Sequence, residues 1–384
     1  MSSFIKKIRA ARISKYFNYI GVSAFLILFT VLTLTDSLKQ STLFMIEKLG
    51  IAIILAVSLG LVVGFLGELS LGHAGFMCIG AYLGGKTSVL LAETSIGTGL
   101  VNVLISVLVG AVASALFGFI VGLPALRLKG DYLAIVTLAF CEIVKTIFEN
   151  SSTESFGGAR GLRTPRFDKS YLFIIIFVFI LICLAVMQNF IRSKHGRAIT
   201  AIRDNEIAAR ATGINVTKYK LTAFVISAAF AGIAGVMYSF SNSTVSSANF
   251  DYNYSIEILV MVVLGGMGSI TGSILSATVI TILNEKLTTL LTGNMAVMKD
   301  LIYALVLILI VIYNNAPAFK SIREKYNVTR LMKKLFNKHA DESFDSGDEG
   351  KWDRVPTKIK MDELLSVDVI PKESVMDPDK SDKE

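Results

Sequence analysis

The sequence predicts an all-α polytopic membrane protein with about ten transmembrane helices or half-helices in two similar halves. Three observations support this fold class. Of the 384 residues, 53% are hydrophobic and only 18% are charged, whereas soluble chains carry about 25% charged residues. Apolar runs long enough to cross a hydrocarbon core of about 30 Å recur along the chain. Two of these runs contain glycine clusters, at residues 64–75 and 265–272.

The first apolar run, residues 19–35, follows a basic N-terminal segment, residues 1–18. Together they look like a secretory signal, but residues 34–37 lack the small-x-small pattern of a cleavage site. We therefore expect an uncleaved anchor with a cytoplasmic N-terminus. The basic residues of this segment are Lys6, Lys7, Arg9, Arg12 and Lys15.

Further apolar runs can each supply about 20 residues of membrane-spanning helix. They cover residues 43–66, 70–91, 98–123, 131–149, 171–190, 221–241, 255–284 and 299–314. Two other stretches are rich in Lys and Arg, namely the loop 191–220 and the segment 320–334 after the last run. Because basic loops stay on the cytoplasmic side, we expect both stretches in the cytoplasm.

The run 255–284 has to form two helices for these orientations to agree. Counted as one span, it would leave the basic segment 320–334 outside. A single tilted helix is the alternative, but the glycine cluster at residues 265–272 disfavours it. Two short helices that meet at the glycines give about ten crossings, with both termini in the cytoplasm.

The predicted domain organisation has three parts. Residues 1–18 form the cytoplasmic N-terminus, residues 19–318 the transmembrane domain, and residues 319–384 a cytoplasmic tail. The tail is basic at first and becomes acidic and polar from Asp341. Its low hydrophobicity and mixed charge predict disorder, apart from an apolar patch at residues 364–370 that can fold on a partner.

The two glycine clusters share a Gly-x-x-Gly-x-(Leu/Ile)-(Ser/Thr) frame and fall at corresponding places in the two predicted halves. Non-helical backbone at membrane depth survives only where protein or water covers it, so such segments indicate a translocation pathway. The alternative is a chance match, since glycine is common in membrane helices. The candidate pathway residues are Gly67, Ser70, Gly72, His73, Gly265, Gly266, Gly268 and Thr271.

Two other patterns have ordinary structural explanations. Small residues at four-residue spacing predict close helix packing, as at Gly110, Ser114 and Gly118 and again at Ala228 and Gly232. Residues 80–87 match the phosphate-loop pattern G-x4-G-K-T, but they lie within an apolar span. A phosphate loop joins a buried strand to a helix, so we interpret this match as chance.

The remaining ionisable residues suggest little chemistry. Glu142 and Lys145 share a helix face, either as a structural ion pair or as part of a pathway. His73 has no companion ligands, so we expect a packed or hydrogen-bonded histidine. The cysteines lie inside apolar runs and predict packed side chains rather than disulfides or metal ligands. No catalytic acid–base pair or nucleophile elbow occurs, so we expect no enzyme, no cofactor and no nucleic-acid binding.

The loop 191–220 is predicted to contain a short amphipathic helix rather than a bare linker. Asp204 can cap a turn that runs to Ala211, and Gly213 can end it. Three isoleucines are available to pack against the protein, which are Ile199, Ile202 and Ile207. Such a helix offers another subunit a surface to push against. The alternative is a helix that lies on lipid headgroups.

At this loop the chain resembles the LivM-type branched-chain amino-acid permeases, which are inner-membrane permeases of bacterial ABC importers. The family's coupling motif, Glu-Ala-Ala-x3-Gly, falls on Ile207, Ala208, Ala209 and Gly213. Ile207 replaces the Glu, and Glu206 lies one position earlier. The resemblance covers residues 45–315 and leaves out the acidic tail. Its other segments are residues 67–74, 126–132, 157–162, 213–216 and 265–268.

The resemblance implies a fold like that of type II ABC importer permeases, in the bacterial inner membrane. It also implies partners: a second homologous permease, two cytoplasmic ATPases and an extracytoplasmic substrate-binding protein. The coupling helix would transmit ATPase closure, and the outer loop 150–170 would dock the binding protein. The residues implied for coupling are Asp204, Glu206, Ile207, Ala208, Ala209, Arg210 and Gly213, and those for docking are Arg160, Arg163 and Arg166.

The function expected from this resemblance is ATP-driven import of branched-chain or other hydrophobic amino acids by alternating access. ATP hydrolysis would take place on the partner subunits. A urea or short-amide permease of the same family is one alternative. A secondary transporter or channel, which would use broken helices without partners, is another.

Overall fold

The computed structural model describes residues 18–19, 21–27, 30, 33, 40–94, 97, 99–128, 130–165, 169–290, 301, 304–305 and 308. The basic N-terminal residues, most of the predicted last span, Arg166 and the tail 319–384 lie outside the described residues. The predictions made for these segments therefore stay predictions.

The described part of the chain is a helical bundle with one short strand pair, which confirms the predicted all-α class. The helices are α1 Gln40–Gly60, α2 His73–Ala92, α3 Leu100–Ala125, α4 Asp131–Glu149, α5 Thr153–Phe156, α6 Lys169–Arg192, α7 Lys194–Asp204, α8 Glu206–Ala211, α9 Val216–Ser241, α10 Tyr252–Gly265 and α11 Ile270–Leu290. A π-helical turn, Leu61–Leu66, continues α1, and 3-10 turns cover Gly158–Arg160 and Ser247–Phe250. Strands β1 Leu162–Arg163 and β2 Thr244–Val245 pair antiparallel.

Within the described residues, five helices are long and apolar enough to cross a membrane. They are α1 with its π turn, α2, α3, the part of α6 from Tyr171 and α9. Helix α10 is apolar but shorter. The chain is thus a multi-pass membrane protein, while the total of about ten crossings and the orientation of the termini stay predictions.

Helix α1 is the central helix of the bundle. Residues 51–66 include only apolar residues, glycine and serine, so no face of this stretch is polar. A helix that is apolar all round is stable only when other helices or lipid surround it. Helices α6, α9, α10 and α11 pack against α1 and leave it almost wholly buried. In the first glycine cluster, Gly64, Gly72 and Gly75 are buried, whereas Gly67 is exposed.

Helices α2, α3 and α9 pack through small residues, as their four-residue spacing predicts. A Cβ atom added to Gly80 in α2 would overlap the backbone of Gly232 in α9. One added to Gly118 in α3 would lie 2.6 Å from the Cβ atom of Ala228. The opposite face of α3 exposes leucine and valine side chains, which suits contact with lipid.

Both glycine clusters interrupt helices. The π turn after α1 ends at Gly67, whose φ is +79°. Helix α10 ends at Gly265, and Gly266 and Gly268 follow with φ of +89° and +84°. Glycine adopts such left-handed backbone freely, whereas other residues lose about 1–2 kcal/mol. The separate helices α10 and α11 confirm the predicted break in the run 255–284.

Three smaller predictions can be compared with the structure. Residues 80–87 are helical throughout, which confirms that the phosphate-loop match is not a loop. Glu142 and Lys145 form an ion pair of 3.5 Å. Glu142 also accepts a hydrogen bond of 3.1 Å from the amide of Tyr252 at the start of α10, which favours the structural alternative. All the cysteines are buried and free.

Candidate functional site

The two glycine clusters meet at one end of the bundle. A Cβ atom added to Gly64, in the π turn, would lie 2.5 Å from the amide nitrogen of Gly268. The two backbones therefore touch at positions where only glycine fits. We call this contact the glycine junction. It brings together the two segments that the sequence placed in corresponding halves.

Arg203, near the end of α7, seals the glycine junction. Its Nη1 donates a hydrogen bond of 3.1 Å to the carbonyl oxygen of Gly64. Its side chain also packs over Gly67, where an added Cβ atom would lie 2.6 Å from the Arg203 Cγ. The last carbonyls of a helix lack partners within the helix, and a cation near them is favourable. Arg203 therefore caps the end of α1 with a side chain from the loop 191–220.

Local sequence explains why α7 ends beside the junction. Ser193 caps its N-terminus by accepting hydrogen bonds from the amides of His195 and Gly196 at 3.1 and 3.4 Å. Ile199 and Ile202 lie on its buried face, as the sequence predicted. This buried face fixes the rotation of α7 and turns Arg203 towards Gly64.

The loop 191–220 contains two helices, α7 and the short α8, whereas the sequence predicted one. Asn205 lies between the two helices in an extended conformation, with φ of −158° and ψ of 103°. Its side chain accepts a hydrogen bond of 3.0 Å from the amide of Ala208. The prediction that Asp204 caps the turn is therefore wrong, because Asn205 takes the N-cap and Asp204 pairs with Arg203 at 3.0 Å.

The C-terminal end of α8 agrees with the sequence. Gly213 has φ of +84°, and its amide donates to the carbonyl of Arg210 at 3.0 Å. The amide of Ile214 donates to the carbonyl of Ala209 at 3.1 Å. These two bonds form a Schellman motif, in which glycine supplies the left-handed residue.

Ile207 does not pack as predicted. Its side chain is 83% exposed, whereas Ala209 on the other face of α8 is buried. Ala209 packs in a small cluster with Ile202 and Val216, and this seats α8 with Ile207 pointing away from the protein. Ala208 is also exposed. Of the residues aligned with the family's coupling motif, Ile207, Ala208 and Gly213 are thus exposed, whereas Ala209 is buried.

An ion cluster around the buried Lys220 joins α8 to the junction. Lys220, near the start of α9, is only 7% exposed, and its Nζ bonds to Glu68 Oε1 and, at 3.1 Å, to Glu206 Oε2. Glu206 also pairs with Arg210 at 2.5 Å. Glu68 follows Gly67 directly. We call Glu68, Glu206, Arg210 and Lys220 the Lys220 cluster.

The Lys220 cluster and the glycine junction border one cavity of about 560 Å³. Of the predicted coupling residues, Asp204, Glu206, Ile207 and Arg210 line it, together with Gly67. Its wall contains polar and apolar surface in similar amounts. The arrangement can transmit a displacement of α8 to the glycine junction, because the ion pairs of Lys220 with Glu206 and Glu68 connect the two across the edge of this cavity.

The structure brings only part of the candidate pathway set together. Gly67, Gly265, Gly266 and Gly268 lie at or beside the junction. Ser70 and Gly72 are buried instead, and an added Cβ atom on Gly72 would lie 2.9 Å from the carbonyl oxygen of Thr137 in α4.

His73 and Thr271 have separate surroundings. His73 is buried, and its Nε2 lies 2.8 Å from the Oγ of Ser58, which confirms a hydrogen-bonded histidine. Thr271 Oγ1 donates to Asn18 Oδ1 at 2.8 Å. Thr271 also lines an apolar cavity of about 310 Å³. Neither residue reaches the junction cavity.

The predicted docking residues lie apart from this site. Arg160 is the last residue of the 3-10 turn Gly158–Arg160, and Arg163 lies on β1. Both side chains are exposed. Arg166 lies outside the described residues. Nothing in the structure tests their proposed role.

Sequence reasoning missed four residues of this site: Glu68, Arg203, Asn205 and Lys220. Glu68 and Lys220 each lie at the edge of an apolar run. An ionisable residue in such a position is expected to pair with a residue of opposite charge elsewhere in the chain. Arg203 was counted only as one of several basic loop residues. Its partner is a backbone carbonyl, which leaves no mark in the sequence.

The fold is that of a multi-pass membrane protein whose helices are broken by glycine, with an exposed surface on α8. The chain belongs to the family described as branched-chain amino acid transport system / permease component, which matches residues 41–311.

Curated relatives agree with this family. The chain is 38% identical over 267 residues to the high-affinity branched-chain amino acid transport system permease proteins LivM of Salmonella typhimurium and Escherichia coli. The match covers 61% of this chain and 61% of each relative. A probable LivM permease of Methanocaldococcus jannaschii is 28% identical over 58% of this chain and 74% of its own length. No solved structure matches this chain.

Proposed function

We propose that this chain is the permease subunit of an ATP-driven importer for branched-chain or other hydrophobic amino acids. It works by alternating access in the bacterial inner membrane, and separate subunits hydrolyse the ATP. The names of the LivM relatives support the substrate class. A ribose import permease of Escherichia coli is also similar, but at only 25% identity over 56% of this chain. Hydrophobic amino acids are therefore favoured over sugars.

The observation that carries the proposal is the continuous contact from α8 to the glycine junction. Ile207 and Ala208 are exposed and available to a partner. Glu206, on the same short helix, is bonded through Lys220 to Glu68 beside the junction. A partner that moves α8 therefore moves the ends of α1 and α10. This is the link that an importer needs between ATPase closure and the transport helices.

The proposed assembly has the partners that the resemblance implies. Two ATPases bind the cytoplasmic face at α8, a second permease completes the pathway, and a substrate-binding protein docks at the outer surface that includes Arg160 and Arg163. This arrangement places α7, α8 and both termini in the cytoplasm. It leaves this chain without catalytic activity or a cofactor of its own.

The test is uptake by the complete importer in proteoliposomes. With all partner subunits present, leucine should enter only when ATP is supplied on the cytoplasmic face. Ala208→Asp should abolish this uptake without loss of membrane insertion, because Ala208 is exposed on α8 and its side chain has no structural role. Ala201→Asp makes the same change at an exposed position of α7 and should retain uptake. Leucine uptake by this chain alone, without ATPases, would refute the proposal.

A further inference from the structure

A second polar cavity lies far from the glycine junction. It has a volume of about 260 Å³ and is bordered by α1, α2, α9, α10, α11 and the 3-10 turn Ser247–Phe250. Along α1, the distance from Lys48 in its wall to Gly64 in the junction is about 24 Å at 1.5 Å per residue. Thr281, also in the wall, lies about 16 Å along α11 from Ile270. We call this space the distal cavity.

The wall of the distal cavity carries charges of both signs. Lys48 forms an ion pair with Glu285, and both side chains are partly exposed. Glu257 accepts a hydrogen bond of 3.0 Å from Asn284. An amino acid carries an ammonium and a carboxylate on adjacent atoms. The Glu257 and Glu285 carboxylates suit the ammonium, and Lys48 suits the carboxylate.

Thr281 supplies an independent observation. Its side chain is 8% exposed, and its Oγ1 has no hydrogen-bond partner among the described residues. Threonines in helices commonly bond to the carbonyl four residues earlier, and Thr278, Thr288 and Thr289 of α11 all do so at 2.7–2.8 Å. Thr281 differs from these three threonines, and it lines the distal cavity. Its hydroxyl is therefore free for a ligand.

Apolar side chains form much of the rest of the wall, beside Asn249, Tyr238 and Tyr254. Ile51, Met77 and Met261 contribute to it, and methionine adapts to ligands of different shape. At roughly 30 Å³ per water molecule, the cavity holds about eight or nine waters, which is comparable with the number of non-hydrogen atoms in leucine. The size, the charges and the apolar surface of the distal cavity thus all suit an amino acid with an apolar side chain.

We propose that the distal cavity is a transit site for the imported amino acid. Thr281, Glu257 and the Lys48–Glu285 pair bind the ammonium and carboxylate groups, and the apolar wall receives the side chain. This inference rests on the proposed function and names the residues that select its substrate. Helices α1, α10 and α11 border the cavity and also end at the glycine junction, so a movement of the junction changes the shape of the site.

The first test compares two threonines on the same helix. Thr281→Val removes the free hydroxyl with little change in volume, and Thr278→Val removes a hydroxyl that is already bonded to the backbone. In the complete importer in proteoliposomes, Thr281→Val should lower ATP-dependent leucine uptake about tenfold, the loss expected for one hydrogen bond to a charged group. ATPase activity stimulated by the binding protein should remain. Thr278→Val should stay within about twofold of wild type.

Two further variants separate binding from folding. Thr281→Ser keeps the hydroxyl and should restore uptake. Glu257→Gln keeps an acceptor for Asn284 but removes a charge, and it should lower leucine uptake as well. If Thr281→Val inserts poorly, Glu257→Gln decides the question.

The possible outcomes separate the two proposals. Normal uptake by both Thr281→Val and Glu257→Gln, alongside active wild type, would overturn the transit site and leave the importer function standing. No ATP-dependent uptake of leucine by the wild-type importer would overturn the proposed function, and the transit site with it. Equal losses in Thr281→Val and Thr278→Val would also count against the transit site, because the loss would then not depend on the free hydroxyl.

Discussion

Replacing Lys220 by methionine tests whether the Lys220 cluster holds α8 against the bundle. The change keeps a long, unbranched side chain but removes the charge. Lys220 is 7% exposed and Glu68 is 15% exposed, so water screens their interaction weakly. Without Lys220, the carboxylate of Glu68 is left buried without its cation, while Glu206 retains Arg210.

Removing one partner of a buried ion pair costs about 3–5 kcal/mol, because the remaining charge stays desolvated. Glu206 is partly exposed and keeps a second partner, so we take the lower end, about 3 kcal/mol. A destabilisation of this size should lower the midpoint of thermal unfolding by roughly 5–10 °C. Lys220→Met with Glu68→Gln leaves no buried charge unpaired, and it should recover about half of the loss.

The assay is thermal unfolding of the purified full chain in detergent, combined with ATP-dependent uptake by the complete importer. Lys218→Met is the matched control, since Lys218 is exposed two residues earlier on the same helix. It should change the unfolding midpoint by no more than about 1 °C. Equal stability of Lys220→Met and Lys218→Met would refute the reasoning. So would a double variant that is no more stable than Lys220→Met alone.

Three further predictions concern the junction and the loop. Arg203→Gln removes the charge that caps Gly64, and uptake per ATP hydrolysed should fall severalfold. Membrane insertion and ATP binding by the partners should persist. An unchanged ratio of uptake to ATP hydrolysis in a coupled transport assay would contradict this prediction. Gly266→Ala meets no neighbouring atom and should cost only the strain of its positive φ, about 1–2 kcal/mol of stability. Gly265→Ala overlaps the backbone at Gly272 and should cost more, as measured by thermal unfolding. The reverse order of stability would count against the junction geometry. Asn205→Ala removes the N-cap of α8 and should cost about 1 kcal/mol of stability, measured as a lower unfolding midpoint. Asp204→Ala should have a smaller effect. Equal losses in the two variants would contradict the assignment of Asn205 as the cap.

The sequence predicted the structure best where the backbone conformation requires particular residues, such as glycine. The break at residues 265–272 followed from the length of the apolar run and its glycines, and α10 and α11 confirm it. Small residues at four-residue spacing predicted close helix packing, and α3 and α9 pack through such residues. The left-handed residue at Gly213 also followed, because only glycine ends a helix this way without strain.

Long-range partners could not be predicted in the same way. Lys220 and Glu68 are 152 residues apart, and nothing in a single sequence indicates which of several charges will meet. The choice between Asp204 and Asn205 as a cap depended on one backbone torsion that both residues allow. Ile207 was expected to pack because it is apolar, yet α8 is too short to bury two faces. The family resemblance instead aligns Ile207 with a coupling motif, a role that stays a prediction.

Arg203 connects these observations, because its side chain joins the loop 191–220 to the end of the central helix of the bundle. Helix α1 is apolar and buried, and the carbonyls of its last turn need partners from outside the helix. Helix α10 ends against the same place, and the C-terminal ends of both helices carry partial negative charge. A single guanidinium from α7 bonds to Gly64 and lies near Gly268. The π turn Leu61–Leu66 lies directly before this contact, and π turns hold their hydrogen bonds less regularly than α-helix. A displacement of α7 and α8 therefore acts on the least regular turn of the central helix, which is the point where a rigid bundle can change shape at the lowest cost.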